Sequence, residues 1–220
     1  MSKLLDRVAD AGGILFVLLV GVGYIALVAP AMPETLTSPE AVAAHLSAHP
    51  PTTSFWVGVW LEGAGLAVLV LFAARLAGRI RAVDPTGWLP SAVVGLAVAA
   101  FGVKIFSFAP ALAALHVDRY DAGTLTALLD INDAAYDLSW ALDGAFALLL
   151  GLGALAARAL PAWLAGCAVA AGLAVLIGIA VPPTFEALQL VFVLWLLMTS
   201  GWLLARGRRT VPTTTEPAFV

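Results

Sequence analysis

The sequence predicts an all-α integral membrane bundle of six transmembrane helices, and three observations predict this fold class. The chain has 220 residues, of which 62% are hydrophobic and only 11% charged. Six apolar stretches are long enough to cross the hydrocarbon core, for which a helix needs about 20 residues. Lys and Arg lie almost entirely in the connections on one side of these stretches. A soluble domain with so few charged residues would lack the polar side chains to cover its surface.

The six stretches form a single transmembrane domain over residues 1–208. The predicted spans are about 11–30, 54–74, 88–110, 138–157, 161–181 and 185–205. The first has an alternative interpretation as a signal peptide, because Ala29-Pro30-Ala31 loosely resembles a cleavage site. Its apolar run is longer than a typical signal core and Pro30 lies inside the proposed site, so we expect a retained helix. Cleavage would leave five spans.

Two outer loops, at 31–53 and 111–137, are each predicted to contain a short helix. Ser38-Pro39-Glu40 provides an N-cap, a proline at the first helical position and an acid in the first turn, so a helix should run from there to about His49. The second loop is acidic, and a short helix is expected in it at about 123–130. The last residues, 209–220, are rich in Pro and Thr and are predicted to be a disordered cytoplasmic tail.

The basic residues predict the orientation, because cytoplasmic loops are enriched in Lys and Arg. Of those outside the membrane, only Arg119 lies on one side. Nine lie on the other side: Lys3, Arg7, Arg75, Arg79, Arg81, Arg158, Arg206, Arg208 and Arg209. Both termini are therefore predicted to be cytoplasmic, as an even number of spans requires.

Composition and motifs exclude several functions. The net charge is −3 and no basic run indicates nucleic acid. The single cysteine, Cys167, can form no disulfide within the chain. No nucleotide-binding or hydrolase motif occurs, and no cofactor is indicated. The partner that the composition indicates is the lipid bilayer, with a small molecule or a lipid as the ligand of an internal site; it does not indicate an oligomeric state.

Three charged residues lie inside the predicted spans: Glu62, Lys104 and Asp143. An unpaired charge at bilayer depth costs about 2.5–3.5 kcal/mol on insertion scales. Counting about 1.5 Å per residue, all three lie roughly 8–12 Å below the outer boundary. We therefore expect them to meet one another or water, as one Lys between two carboxyl groups.

Neighbouring residues predict a pocket around this cluster, open to the outside and closed towards the cytoplasm. Tyr136, Trp140 and Asp143 are spaced i, i+4, i+7 on span four, and Asp137 adds to the same polar and aromatic stripe. The other residues expected to line the pocket are Tyr24, Trp60, Glu186 and Gln189.

Three functions remain open at this stage. The first is binding or moving a small molecule or protons through the Glu-Lys-Asp cluster, since charges inside the membrane are functional by default. The second is an intramembrane enzyme on a lipid or isoprenoid substrate, with Asp143 or Glu62 as the acid and Trp60, Trp140 and Phe101 shielding a cation. The third is a structural or sensory subunit in which the cluster only fixes helix order. No catalytic residue is assigned.

Histidines provide a weaker hypothesis of a metal site. His45 and His49 are spaced i, i+4 on the first outer helix, and His116 lies in the other outer loop. Nothing in the sequence fixes a third ligand, so solvated loop histidines are the favoured interpretation and no metal is assigned.

Three short motifs carry a resemblance to a known family. They are Tyr136-Asp137-Leu138-Ser139-Trp140, Leu160-Pro161-Ala162-Trp163-Leu164 and Glu186-Ala187-Leu188-Gln189, which open spans four, five and six. With the order of spans and the long outer loops, the chain over about residues 5–206 resembles the uncharacterised bacterial polytopic membrane family catalogued as domain of unknown function 4386. That family brings no established activity. The resemblance implies a location in the bacterial plasma membrane and little more.

Overall fold

A computed structural model describes residues 2–33, 38–83, 85–181 and 184–207, and these residues form helices without any strand. The predicted tail at 209–220 lies outside them. The α-helices are α1 (Ser2–Asp10), α2 (Gly12–Val20), α3 (Pro39–Ala48), α4 (Thr53–Arg81), α5 (Leu89–Ala114), α6 (Ala122–Ala157), α7 (Ala162–Ala180) and α8 (Phe185–Gly207). After α2 the chain continues as a π-helix over Gly21–Val28 and a 3₁₀ turn over Ala29–Ala31.

The described residues contain six helices that are long and apolar enough to cross a membrane, which confirms the predicted six-span fold. The first span is Gly12–Ala31, and α4, α5, α6, α7 and α8 are the others. Their outer surface is apolar. Trp60 is 78% exposed, Ile25 72% and Phe106 68%. Such a surface fits a chain surrounded by lipid.

The spans pack in chain order and close into a ring. Each span packs against the next, and α8 packs back against the first span. The bundle therefore has two ends. The termini end carries α1 and the last turn of α8, and the α3 end carries α3 and corresponds to the predicted outer side.

Small residues allow the closest helix crossings. A Cβ atom added to Gly172 of α7 would lie 2.5 Å from the backbone nitrogen of Leu148 and 2.6 Å from the carbonyl oxygen of Gly144, both on α6. The first span crosses α4 in the same way, where Gly23 lies against Gly58. Close backbone approach replaces the hydrophobic effect as the source of helix association, because lipid is as apolar as the side chains.

Four aromatic side chains fill the centre of the bundle, all with 0% exposure: Phe72, Phe146, Phe192 and Trp195. The Trp195 ring contacts the other three at centroid distances of 5.5 to 6.3 Å. They come from α4, α6 and α8, so they join three helices of which no two are consecutive in the ring. This part of the interior is therefore densely packed.

The α3 end differs from the prediction in one respect. The first outer helix is α3, as predicted, and Ser38 accepts the backbone N–H of Ala41 at 3.2 Å as its N-cap. The second outer helix, expected at 123–130, is not separate, because it is the first part of the 36-residue α6. No Gly or Pro lies between residues 124 and 143 to end a helix there. At about 1.5 Å per residue α6 is ~54 Å long, so it extends well beyond the ~30 Å hydrocarbon core.

This extension supports a cap over the α3 end. Val42 and Leu46 of α3 are buried against Leu125 of α6 and Ala114 of α5. Asp121 begins α6 by accepting the backbone N–H of Thr124 at 2.9 Å and its hydroxyl at 3.1 Å. These hydrogen bonds to the charged form lower the pKa of Asp121 below its usual 3.8. The stabilisation is present above the unfolded pKa and is lost as pH falls through the lower folded pKa.

At the termini end, contacts of charged side chains join α1, α4 and α8. The sequence alone does not predict these pairs. Arg75 of α4 binds Asp10 at 2.8 Å and Asp6 at 3.2 Å, and so ties α1 to the bundle. The guanidinium groups of Arg79 and Arg206 lie 5.2 and 4.5 Å from the centre of the Trp202 ring. Asp10, which contacts Arg75, is only 6% exposed.

The close crossing of α6 and α7 predicts opposite effects for two glycines on one helix. Gly172→Ala should lower the free energy of unfolding by about 1–3 kcal/mol, because the added methyl overlaps the α6 backbone. Gly166→Ala is the matched control, since nothing lies within 4 Å of a Cβ there and Ala is the better helix former. Denaturant titration of both variants in detergent micelles measures the difference. Equal losses would contradict the crossing.

Candidate functional site

A cavity of 480 Å³ lies at the α3 end, between the cap and the aromatic centre. It has the size of pockets that hold small organic ligands. Its walls come from the first span, α3, α4, α5, α6 and α8. The lining residues used below are Tyr24, Phe55, Glu62, Lys104, Ser107, Phe108, Asp130, Asp133, Tyr136, Asp137, Phe185, Glu186 and Gln189.

Glu62 is the buried acid of this cavity. Its side chain lines the cavity and is only 4% exposed. It lies one turn after Gly58, where the π-helical part of the first span approaches α4 so closely that only glycine fits. Among the described residues Glu62 has no hydrogen bond and no ion pair within 4.0 Å. A polar group buried in this way is costly unless a ligand or water satisfies it.

Lys104 lies on an aromatic ring rather than in an ion pair. Its ammonium nitrogen is 3.1 Å from the centre of the Tyr136 ring, and the side chain is 8% exposed. Neither Glu62 nor Asp143 comes within 4.0 Å of this nitrogen, although the charge of Lys104 interacts with both. A cation over a desolvated ring gains about 2 kcal/mol. Lys104 of α5 therefore contacts neither of the predicted carboxyl groups, and its contacting partner is Tyr136 of α6.

Asp143 lies deeper than the cavity. It is 7% exposed, does not line the cavity, and its Oδ1 atom is buried without a hydrogen-bond partner among the described residues. The spacing explains this position. Asp143 is seven residues after Tyr136, so it lies on the same face of α6 but about 10 Å further into the bundle.

The mouth of the cavity is acidic. The predicted residues Asp137 and Glu186 are exposed there, whereas Tyr24 and Gln189 are half-buried in the wall. Two further acids from the segment predicted to be an outer loop, Asp130 and Asp133, also line it, because α6 is continuous through this region. The i, i+3, i+7 spacing of these acids on one helix was the available signal.

Two predicted tryptophans lie outside the cavity lining. Trp140 packs beneath it, with ring centroids 6.2 Å from Tyr136 and Phe185 and 5.7 Å from Phe192. Trp60 faces away from the bundle and is 78% exposed. It lies two residues before Glu62, and residues spaced i, i+2 point to nearly opposite sides of a helix. Contrary to the prediction, Trp60 therefore does not line the pocket with Glu62.

Sequence reasoning missed a buried serine of the cavity. Ser107 lines it, is 1% exposed, and donates its hydroxyl to the carbonyl of Lys104 at 2.7 Å. Ser139 is similar, at 2% exposure and 2.6 Å from the carbonyl of Tyr136, but it does not line the cavity. Serines bonded to their own helix are common in membrane spans, so the sequence gives no signal that separates the two.

The histidines are not arranged as a metal site. The rings of His45 and His49 are stacked with centroids 4.2 Å apart, and His49 Nδ1 lies 2.9 Å from the carbonyl oxygen of His45. His116 lies in the connection between α5 and α6. In the part of the chain that the structure describes, no group of three or more His, Cys, Asp or Glu side chains could hold a metal ion.

Comparison of the chain with protein-family models, curated proteins and solved structures found no match. The cavity and its lining are therefore the features that bear on function.

The contact between Lys104 and Tyr136 predicts a coupling that a double-mutant cycle can measure. Lys104→Met and Tyr136→Leu should couple by about 1–2 kcal/mol in the free energy of unfolding, because each removes the same cation–ring contact. Tyr136→Phe keeps the ring and is the control, so its coupling to Lys104→Met should be much smaller. A coupling near zero for the leucine variant would exclude the contact.

Proposed function

We propose that this chain is a multi-pass membrane protein that binds a small molecule in the cavity at the α3 end, with Glu62 as the group that engages it. The observation that carries the proposal is the Glu62 side chain, which is only 4% exposed yet lines a cavity and has no bonding partner among the described residues. Membrane proteins rarely retain such a group without a function.

The interior favours binding from one side over an open path across the membrane. The rings of Trp140, Phe192 and Trp195 pack on one another next to the cavity without lining it, and the latter two are fully buried. Moving a ligand or a proton to the termini end would require these rings to rearrange. Transport is thus a second step that the cavity permits only with a conformational change.

The other two functions receive less support. An intramembrane enzyme would use Asp143 or Glu62 as the acid and three aromatic residues, Trp60, Trp140 and Phe101, as the shield. Of these five residues only Glu62 lines the cavity, so the acid would have no aromatic shield around it from this set. A purely structural cluster would form contacting ion pairs, and the charge partners of Lys104 lie beyond 4.0 Å.

We also propose that both termini are cytoplasmic. Arg75, Arg79, Arg81, Arg158 and Arg206 lie on the parts of their helices that point to the termini end, as the positive-inside rule requires of a cytoplasmic face. The location in a bacterial plasma membrane and the family resemblance stay predictions.

The cavity predicts that two similarly buried serines differ in reactivity once replaced by cysteine. In a Cys167→Ala background, Ser107→Cys should react with N-ethylmaleimide at least about tenfold faster than Ser139→Cys, since reactivity follows access. Mass spectrometry of the protein in detergent micelles gives both rates. An unreactive thiol in the Ser107→Cys variant, or equal rates, would show that small molecules do not reach the cavity.

A functional acid and a structural one differ in what their loss does to stability. Glu62→Gln should change the free energy of unfolding by less than about 1 kcal/mol, because no contacting pair is broken. Losing one partner of a formed buried pair costs about 3–5 kcal/mol. Asp10→Asn is the control, since Asp10 is 6% exposed and does contact Arg75. If Glu62→Gln destabilises more than Asp10→Asn, the structural function is favoured instead.

A further inference from the structure

Resting on the proposed function, we propose that the ligand is a small organic cation, an amine or quaternary ammonium compound with an apolar or aromatic body. The charged side chains of the lining determine which sign of ligand charge is favoured. Among the described residues, the acids of the cavity wall are Glu62, Asp130, Asp133, Asp137 and Glu186, and the basic residue is Lys104. An anion entering this cavity would meet a net negative field, whereas a cation would be attracted.

Glu62 is the acid that needs a positive partner. The four other acids are exposed at the mouth of the cavity. Glu62 is 4% exposed, and its cationic neighbour, Lys104, is engaged by the Tyr136 ring at 3.1 Å. An ionised carboxylate with so little exposure is stabilised by an opposite charge within contact distance. The ammonium group of a ligand would supply it.

The wall is suited to the rest of such a molecule. Within the described ranges, five aromatic side chains line the cavity: Tyr24, Phe55, Phe108, Tyr136 and Phe185. Aromatic faces attract ammonium groups and bury apolar surface, and the contact of Lys104 with Tyr136 shows a cation held in this way. The volume of 480 Å³ fits an organic molecule rather than a bare ion. A metal ion is disfavoured because the described residues offer no metal-binding group of three side chains.

Protection of an introduced thiol from labelling tests this inference. The full chain with Cys167→Ala and Ser107→Cys is labelled with N-ethylmaleimide in micelles, alone and with benzyltrimethylammonium or benzenesulfonate as probes. The cation should slow labelling at least about threefold and the sulfonate should not, since the lining attracts positive charge. Adding Glu62→Gln should remove the protection. Glu40→Gln should not, because it deletes an exposed acid of α3 that lies outside the cavity lining.

The outcomes separate the two proposals. An unreactive thiol at position 107 would overturn the binding function and this inference together. A reactive thiol that the sulfonate protects equally well, or that neither probe protects, would overturn only the cationic ligand. The same holds if protection by benzyltrimethylammonium survives Glu62→Gln. Should Glu62→Gln fail to fold, the comparison of cation with sulfonate in the Ser107→Cys parent still decides the sign of the ligand charge.

Discussion

The ammonium group of Lys104 on the face of Tyr136 is the contact on which the candidate site depends. A lysine inside a lipid-surrounded bundle must be compensated within the protein, but neither Glu62 nor Asp143 lies within 4.0 Å of the Lys104 nitrogen. The Tyr136 ring contacts the ammonium group instead, with its centre 3.1 Å from the nitrogen. The consequence is that Glu62 keeps its carboxyl group available to the cavity, because its cationic neighbour is held by another helix.

Helix crossings at small residues, large rings at the centre and the cap at the α3 end together determine where the interior is densely packed and where it is open. Between α6 and α7 the backbones meet at Gly144, Gly151 and Gly172, and the first span meets α4 at Gly23 and Gly58. Towards the centre, large rings fill the space that remains. At the α3 end the long α6 carries α3 above the bundle rather than inside it, and the space below this cap is the cavity. A π-helical segment adjoins it, and such segments are frequent at functional sites.

The six spans could be predicted because length and apolarity alone determine them, and Glu62, Lys104 and Asp143 could be expected to converge because lipid tolerates none of them alone. Their detailed partners could not. Whether a lysine chooses a carboxylate or a ring depends on distances of a few ångströms between helices. The position of Trp60 could have been excluded, since its spacing from Glu62 places it on the opposite side of α4. The π-helix left no pattern in the sequence that a regular helix would not show.

The densely packed centre of the bundle limits the movement of a ligand beyond the cavity. Below it, Asp143 Oδ1, Trp195 Nε1 and Thr199 Oγ1 are buried without hydrogen-bond partners among the described residues. These atoms lie on α6 and α8, along the direction from the cavity to the termini end. Each such group costs about 1–3 kcal/mol unless water or a rearranged side chain satisfies it. Each of these atoms is therefore a position at which water or a rearranged side chain would lower the free energy of the bundle.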